Sequence, residues 1–215
     1  MQVSVDQIMQ MPNAAILAER LYNALEDEQH KRKHFYEIME EHKKMEFING
    51  EIYFQSPAKL RHISSIKLLL KLLDTYVSAN GLGYVGAEDM LISLTRNDYE
   101  PDICFFNKNK SRDFEPTQMQ FPAPGFAIEV LSPSTERHDR ETKFQDYAAH
   151  GIGEYWIVDP ESEIIEQYLL KDEEYSLFLK TNDGTIESVV VPGFTIKIRA
   201  VFDEQTNLEE LRRLI

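Results

Sequence analysis

The sequence predicts an α/β core with an antiparallel β extension. Two apolar strand segments, 126–131 and 154–159, enclose a helix that ends near His150 and Gly151. In such a strand–helix–strand unit the crossover is right-handed, and the two strands are parallel or near neighbours. After residue 163 the apolar segments are separated by turns, which predicts the antiparallel extension; these segments are 164–170, 175–180, 186–191 and 194–198.

The N-terminal part of the chain is predicted to be helical. Apolar residues recur at helical spacing among many charged residues over 13–42, which predicts two amphipathic helices; they are Ile16, Leu17, Leu21, Leu25, Phe35, Ile38 and Met39. We interpret residues 1–34 as an N-terminal helical arm and residues 35–215 as one domain, because no linker separates two units.

Turn residues define the elements between the arm and the core. Residues 45–54 alternate around Asn49 and Gly50, which accept the positive φ angles of a type I′ turn, so a hairpin is predicted. The helical stripe that follows ends at Asn80 and Gly81, where glycine suits a C-terminal cap. We expect strands over 83–94 and around 102, a long polar loop over 107–124, and a final helix over 208–214.

The composition of the chain limits the classes of function that it can have. Cys104 is the single cysteine, so an intrachain disulfide or a thiolate metal cluster is excluded, and a reducing interior suits the chain. The first ten residues do not resemble a signal peptide, and no apolar run is long enough to cross a membrane, so we expect a cytoplasmic protein without a membrane partner. A net charge of −14 opposes long-range attraction to nucleic acid.

Two acidic residues, Asp102 and Glu129, each lie in an apolar strand segment, where an unpaired carboxylate would be costly. Mg²⁺ prefers oxygen ligands and is usually held by one or two protein carboxylates together with substrate phosphate. If the two strands are adjacent, both carboxylates reach one end of the sheet, and the carbonyl of Val130 offers a third ligand. Lys143 would orient a bound water or help to deprotonate it. Helical spacing places Lys143 on one face with Asp139 and Tyr147.

Each of these features also has a plainer interpretation. The helix residues could form a surface ion pair, and Asp102 could cap a turn. His62, at a predicted helix start, is a secondary candidate for contact with metal or phosphate, although an ordinary hydrogen bond is favoured. We interpret Ser132 and Ser134 as turn and helix-cap residues.

A larger pattern resembles a known family. Its central part is residues 129–135 and 154–160, with Asp139, Lys143, Tyr147 and Gly151 between them. It extends upstream to Pro101-Asp102, His62, Ser56-Pro57 and the hairpin 46–51, and downstream to 192–194. This combination is similar to the Uma2 family, also called DUF820, of restriction-endonuclease-like proteins. The resemblance covers roughly residues 35–203.

The resemblance implies a PD-(D/E)XK nuclease-like fold, with a mixed sheet flanked by helices, and Mg²⁺- or Mn²⁺-dependent cleavage of DNA. Leu131 occupies the position where that superfamily usually has its lysine, and the family places the lysine on the next helix, here Lys143. Glu46 or Glu51 in the hairpin, or an acid on the helix after it, could be the additional upstream acid, and we favour Glu51. The implied catalytic residues are Asp102, Glu129, Lys143 and Glu51, and the implied metal ligands are Asp102, Glu129 and Val130.

Three functions remain open from the sequence. The leading hypothesis is a Mg²⁺-dependent endonuclease acting on DNA, and we expect it to form a homodimer. The acidic net charge favours a second hypothesis, a noncatalytic module that binds nucleic acid or protein. A metal hydrolase of small phosphorylated molecules ranks last, because no glycine-rich phosphate loop is present.

Overall fold

In a computed structural model of the protein, residues 4–39 and 44–215 are described. The chain begins with a short helix, α1 (Val5–Met9), and a 25-residue helix, α2 (Ala14–Ile38). The sequence predicted two helices over 13–42, but the described part of this segment forms one, because neither proline nor glycine interrupts it. Residues 40–42 of the prediction lie outside the described residues. Helix α2 continues through residue 34, where the predicted arm ends.

The predicted hairpin and the helix after it are confirmed. Strands β1 (Met45–Ile48) and β2 (Glu51–Phe54) pair antiparallel. The turn residues Asn49 and Gly50 both have positive φ angles, 51° and 83°, as a type I′ turn requires. Helix α3 (Leu60–Asn80) ends at Gly81, whose φ of 58° is the left-handed cap conformation.

The remaining elements alternate strands with short helices. They are β3 (Gly83–Ala87), β4 (Leu91–Ser93), β5 (Asp98–Tyr99), β6 (Ile103–Asn107), α4 (Lys108–Ser111), β7 (Gln120–Phe121), β8 (Phe126–Val130), a π-helical turn (His138–Thr142), α5 (Lys143–Ala149), β9 (Glu154–Asp159), β10 (Ile164–Lys171), β11 (Glu174–Thr181), β12 (Thr185–Glu187), β13 (Thr195–Lys197), a 3₁₀ turn (Ile198–Val201) and α6 (Glu204–Leu214). The predicted loop over 107–124 thus contains α4 and β7. The final helix begins four residues earlier than predicted, because Asp203 caps it by accepting from the amide of Thr206.

A six-stranded sheet forms the centre of the molecule, in the order β11-β10-β9-β8-β6-β3. Strands β8 and β9 are parallel, as predicted, and the other neighbours in this sheet are antiparallel. Helices α3 and α6 contribute to the apolar layer on one face. A second apolar layer includes Ile48, Ile92 and Tyr99 of the smaller sheet β2-β1-β5-β4-β7 as well as Tyr147 of α5.

The predicted strand over 186–191 is shorter in the structure. Strand β12 ends at Glu187, and the amides of Val189 and Val190 then donate to the buried carboxylate of Glu154, each at 3.0 Å. In a β-strand these amides would instead donate to carbonyl oxygens of a neighbouring strand. Among the described residues, no helix has the length and apolar character needed to cross a membrane.

Candidate active site

Asp102 and Glu129 lie at the same end of the central sheet. Strand β6 runs antiparallel to β8 with Ile103 opposite Ile128. Continuing this register by one residue places Asp102 opposite Glu129. The amide of Val130 donates to Asp102 Oδ2 at 2.7 Å, which links the two strand ends directly. The condition set by the sequence argument, that these two strands are adjacent, is therefore met, and the contact seen at Val130 involves its amide.

A lysine contacts the other carboxylate oxygen of Asp102. Lys44, immediately before β1, places Nζ 2.9 Å from Asp102 Oδ1. Burial disfavours the charged amine, but the carboxylates of Asp102 and Glu129 together outweigh burial and raise the pKa of Lys44. His62 Nε2 lies 3.9 Å from the same oxygen, and His62 Nδ1 lies 3.4 Å from the carbonyl oxygen of Leu131.

Glu129 is buried and receives two donors on one oxygen. Lys143 Nζ donates to Oε1 at 3.0 Å and the Tyr147 hydroxyl donates to it at 2.9 Å. Burial, together with neighbouring carboxylates, raises the pKa of Glu129 well above its usual value, although Lys143 opposes the rise. A further cation close to this carboxyl group would favour its ionised form.

Lys143 is the centre of the charged cluster. Its side chain is 1% exposed, and Nζ lies 2.9 Å from Glu46 Oε1, 3.0 Å from Glu129 Oε1 and 3.2 Å from Asp139 Oδ1. Burial alone would lower the pKa of this amine, but the three carboxylates outweigh burial and raise the pKa well above its usual value. Lys143 is therefore a permanent ammonium group at neutral pH and not a surface ion-pair partner.

A π-helical turn leads into this lysine. The amide of Lys143 donates to the carbonyl of His138, five residues earlier, and Asp139 within the turn is 1% exposed. Both carboxylate oxygens of Asp139 are buried. Oδ1 contacts the Lys143 ammonium group, but no group among the described residues donates a hydrogen bond of regular geometry to either oxygen. Such π turns inside α-helices are frequent at functional sites, which is consistent with this location.

The hairpin contributes Glu46 to the cluster, whereas Glu51 lies apart from it. Glu46 is 3% exposed, and besides Lys143 it accepts the amide of Glu100 at 3.0 Å. Glu51 sits at the turn, with a side chain that is 70% exposed and 3.6 Å from Lys31. Glu51 therefore makes no contact with the cluster that would support its predicted catalytic role, and Glu46 is the hairpin acid that contacts Lys143. The sequence signal in favour of Glu46 was its position between the apolar residues Met45 and Phe47.

Sequence reasoning missed Lys44 and Glu100. Lys44 directly precedes the alternating strand β1, and nothing in its local sequence marks it. Glu100 accepts the amide of Met45 at 2.9 Å, and burial raises its pKa to about 8. It precedes the Pro101-Asp102 element by one residue, which was the available signal.

A cavity of about 450 Å³ opens over the two acids. Its wall includes Lys59, Arg61 and His62 at the start of α3, together with three hydroxyl-bearing residues after β8: Ser132, Ser134 and Thr135. The Ser132 hydroxyl lies 3.0 Å from each of the other two hydroxyls. The main-chain oxygen of Ser132 accepts the amides of Thr135 and Glu136, so this segment is a turn that starts a helix, as predicted.

The donor set fits a hard divalent cation. Four carboxylates face two ammonium groups, so the ionised cluster carries an excess of two negative charges; the acids are Asp102, Glu129, Glu46 and Asp139, and the cations are Lys44 and Lys143. Over residues 4–39 and 44–215, no three side chains of His, Cys, Asp or Glu are arranged to hold a metal alone. Mg²⁺ and Mn²⁺ fit such a site, because water and substrate oxygens complete their coordination.

The family follows from comparison with known proteins. A sequence profile of Uma2, described as "Putative restriction endonuclease", matches residues 28–199. The chain belongs to the Uma2 family. Uncharacterized protein slr1290 from Synechocystis sp. (strain ATCC 27184 / PCC 6803 / Kazusa) is 32% identical over 133 residues, covering 60% of this Uma2 chain and 68% of slr1290.

A solved structure shares the fold of this Uma2 protein. The crystal structure of "a putative nuclease belonging to DUF820" from Anabaena variabilis ATCC 29413 superposes with a TM-score of 0.68 at 19% identity, covering 82% of this chain and 96% of that chain. At this identity the likeness establishes the fold. The predicted α/β class, with mixed sheets flanked by helices in a nuclease-like arrangement, is confirmed.

Proposed function

We propose that this Uma2 protein is a Mg²⁺-dependent endonuclease that hydrolyses DNA phosphodiester bonds, with Mn²⁺ as an alternative metal. One observation carries the proposal: Asp102, Glu129 and Lys143 meet below one cavity whose wall offers cationic and hydroxyl groups. An anionic phosphodiester suits that wall, and a divalent cation suits the acids below it. The family description agrees with this chemistry.

Asp102 and Glu129 would hold the metal, and the carbonyl of Val130 is the proposed third protein ligand. When bound, the metal would lower the pKa of a water molecule and neutralise charge on the phosphate oxygens. Lys44 contacts Asp102 in this structure, and if Asp102 held a metal, the Lys44 ammonium group would be available to contact the substrate phosphate.

Lys143 would orient the attacking water and stabilise negative charge. Of the two roles considered from the sequence, the three carboxylate contacts favour orientation, because they hold the amine in its protonated form. Glu46 and Asp139 would keep the ammonium group beside Glu129. The role of Glu51 remains a prediction that these contacts do not favour.

The test is metal-dependent nicking of supercoiled plasmid. We expect nicking with Mg²⁺ or Mn²⁺, none with EDTA, and none in Asp102→Asn, Glu129→Gln or Lys143→Met. Glu141→Gln is the matched control, because Glu141 lies on the same helical segment, is 62% exposed on its side chain and pairs with Arg137. Full activity in all three site variants would refute the site assignment.

The second candidate function is a noncatalytic binding module, favoured by the net charge of −14. On this hypothesis Lys44 is a permanent partner of Asp102 and metal does not bind. Calorimetry with MnCl₂ separates the two: saturable heat that disappears in Glu129→Gln supports the nuclease, whereas no heat together with retained polynucleotide or protein binding supports the module.

The proposed homodimer would use the exposed half of α2. From Leu25 onward this helix packs on the body through Glu28, Arg32 and Phe35, and the same stripe continues backwards to residues exposed to solvent; they include Ile16 (53%), Leu17 (37%) and Leu21 (59%). An antiparallel copy of this segment would cover the stripe. Light scattering should give a dimer mass that Leu21→Glu halves, and a monomer mass for the unmodified chain would refute the dimer.

A further inference from the structure

The two acids are buried at the bottom of a partly open cavity. The side chains of Asp102 and Glu129 are 6% and 4% exposed. The cavity volume of about 450 Å³ falls within the range of roughly 300–1,000 Å³ found for small-ligand pockets. Arg61 at the start of α3 forms an ion pair with Glu161 after β9, which joins two walls of the cavity. These walls would stop the bulk of a double helix before its phosphodiester reached the acids.

A second cavity continues from the first. It has a volume of about 540 Å³ and shares Lys59, Arg61 and Pro160 with the first cavity. Its wall also includes Leu60, which is 78% exposed, and the half-buried ring of Phe202. The two cavities together form one path across the start of α3, with cationic side chains in the middle and apolar groups at the far end.

An aromatic residue, Tyr53, lies two residues before Gln55, which lines the first cavity. Tyr53 pairs with Glu46 across the hairpin, and directly opposed residues of an antiparallel pair point to the same face. The Tyr53 ring is 4.7 Å from the ring of His138, which begins the π turn three residues after the cavity residue Thr135. At 38% exposure, Tyr53 retains a surface on which a base can stack.

The charge of this path also distinguishes between substrates. Lys59 and Arg61 are cationic, but Glu136 and Glu161 share the wall of the first cavity and Glu163 lies in the second. A duplex is normally held by many phosphate contacts from lysine and arginine. A single strand can also be held by stacking of its bases on aromatic rings, so it requires fewer cations.

From these observations we infer that the substrate is a single polynucleotide strand, which runs from Tyr53 over the acids and along Lys59 towards Phe202. The inference rests on the proposed phosphodiester chemistry and adds the strand state of the substrate. An intact duplex would have to unpair at the cleavage site before its backbone could enter the cavity.

The test is fluorescence anisotropy with one labelled sequence, presented as single-stranded DNA, single-stranded RNA or duplex DNA. Binding is measured with EDTA and with Ca²⁺ in place of Mg²⁺, so that the readout is independent of cleavage. We expect a single strand to bind at least about tenfold more tightly than the duplex, a difference of about 1.4 kcal/mol. The DNA and RNA arms show which strand chemistry is preferred.

Two variants and two matched controls locate the path. Tyr53→Ala should weaken single-strand binding about fivefold or more, as expected for loss of one stacking contact. Lys59→Glu should weaken it and flatten its salt dependence. The controls are Tyr84→Ala, at an exposed strand tyrosine in edge contact with Phe114, and Lys67→Glu, at an exposed position of α3; both should bind normally.

The outcomes separate this inference from the proposed function. Equal or tighter binding of duplex overturns the inference, and metal-dependent cleavage of that duplex would leave the nuclease standing. Tight single-strand binding without cleavage in Mg²⁺ or Mn²⁺ refutes the nuclease and retains the path. Equal effects of the test and control variants overturn the assignment of the path to Tyr53 and Lys59.

Discussion

Two buried glutamates on neighbouring strands, Glu129 on β8 and Glu154 on β9, differ in how their charge is compensated. Glu154 is fully buried and accepts five neutral donors over both oxygens, from Trp156, Gln167, Ser188, Val189 and Val190. Among the described residues, the donors to Glu129 are a lysine and a tyrosine, and both reach the same oxygen. Glu129 also lines a cavity.

The difference shows why one carboxylate is structural and the other is suited to chemistry. Neutral donors that fill both oxygens of Glu154 join β9, β10 and the segment after β12, and they leave no room for a ligand. At Glu129 a permanent cation compensates part of the charge of several acids, and one side of the carboxylate faces a cavity. Burial raises the pKa of both glutamates, so this property alone does not separate them.

The largest effect should come from removing the shared cation. In Lys143→Met, Glu46, Glu129 and Asp139 lose their ammonium partner while remaining buried, so we expect a loss of about 3–5 kcal/mol of unfolding free energy at neutral pH. Urea denaturation measures it. The loss should shrink as the pH falls, because Glu129 and Asp139, whose pKa values are raised by burial, become protonated and no longer require the cation. A loss that is equal at pH 7 and at pH 4 would show that packing, not charge, is responsible.

Replacing the cavity-facing glutamate should affect catalysis more than stability. In Glu129→Gln the lysine keeps two carboxylates, so unfolding free energy should change by no more than about 1 kcal/mol. Nicking should fall by about 100-fold or more, because metal binding supplies several kcal/mol to such reactions. Initial rates at saturating Mg²⁺ provide the measurement, and near-normal rates would remove Glu129 from the site.

The reverse result is expected for the structural glutamate. In Glu154→Gln an amide replaces one acceptor oxygen, which leaves buried donors unpaired and lowers the unfolding free energy by about 1–3 kcal/mol. Nicking by the folded fraction should be unchanged, since Glu154 starts β9 at the end of the sheet remote from Glu129. A catalytic defect as large as that of Glu129→Gln would contradict the conclusion that Glu154 is structural.

A third buried glutamate, Glu100, allows a pH test. Burial raises its pKa from 4.5 to about 8, so the native state holds the proton more tightly than the unfolded chain does. The stabilisation is complete below about pH 4.5 and is lost as the pH rises towards 8. Glu100→Gln keeps an oxygen acceptor for Met45, and its stability relative to the unmodified chain should rise by about 1–3 kcal/mol between pH 5 and pH 8. A constant difference across this range would contradict the raised pKa.

The smallest effect is expected at the exposed pair Arg137 and Glu141, one turn apart near the site. Glu141→Gln should change the unfolding free energy by no more than about 0.5 kcal/mol and leave nicking intact. A larger change in unfolding free energy would mean that the Arg137–Glu141 pair is coupled to the charged cluster. The expectation that exposed ion pairs contribute less than buried ones would then be wrong for this protein.

Local patterns predicted much of the fold and part of the site. The Asn49-Gly50 turn, the Gly81 cap and the parallel pair β8–β9 each follow from residues close in sequence. The single helix α2 and the short β12 were not predicted, because periodicity does not show where a helix continues and because the amides after β12 pair with a distant carboxylate.

The sequence by itself determined that Asp102 and Glu129 each lie in an apolar strand segment and that a lysine follows Glu129 on the next helix. Only the tertiary structure decided that Glu46 reaches Lys143 while Glu51 faces solvent, and that Lys44 pairs with Asp102 across 58 residues of chain. The reason is physical: periodicity reports which face of an element a residue occupies, whereas an ion pair requires two elements to pack at one distance and angle. The packing of the smaller sheet against the central one sets both.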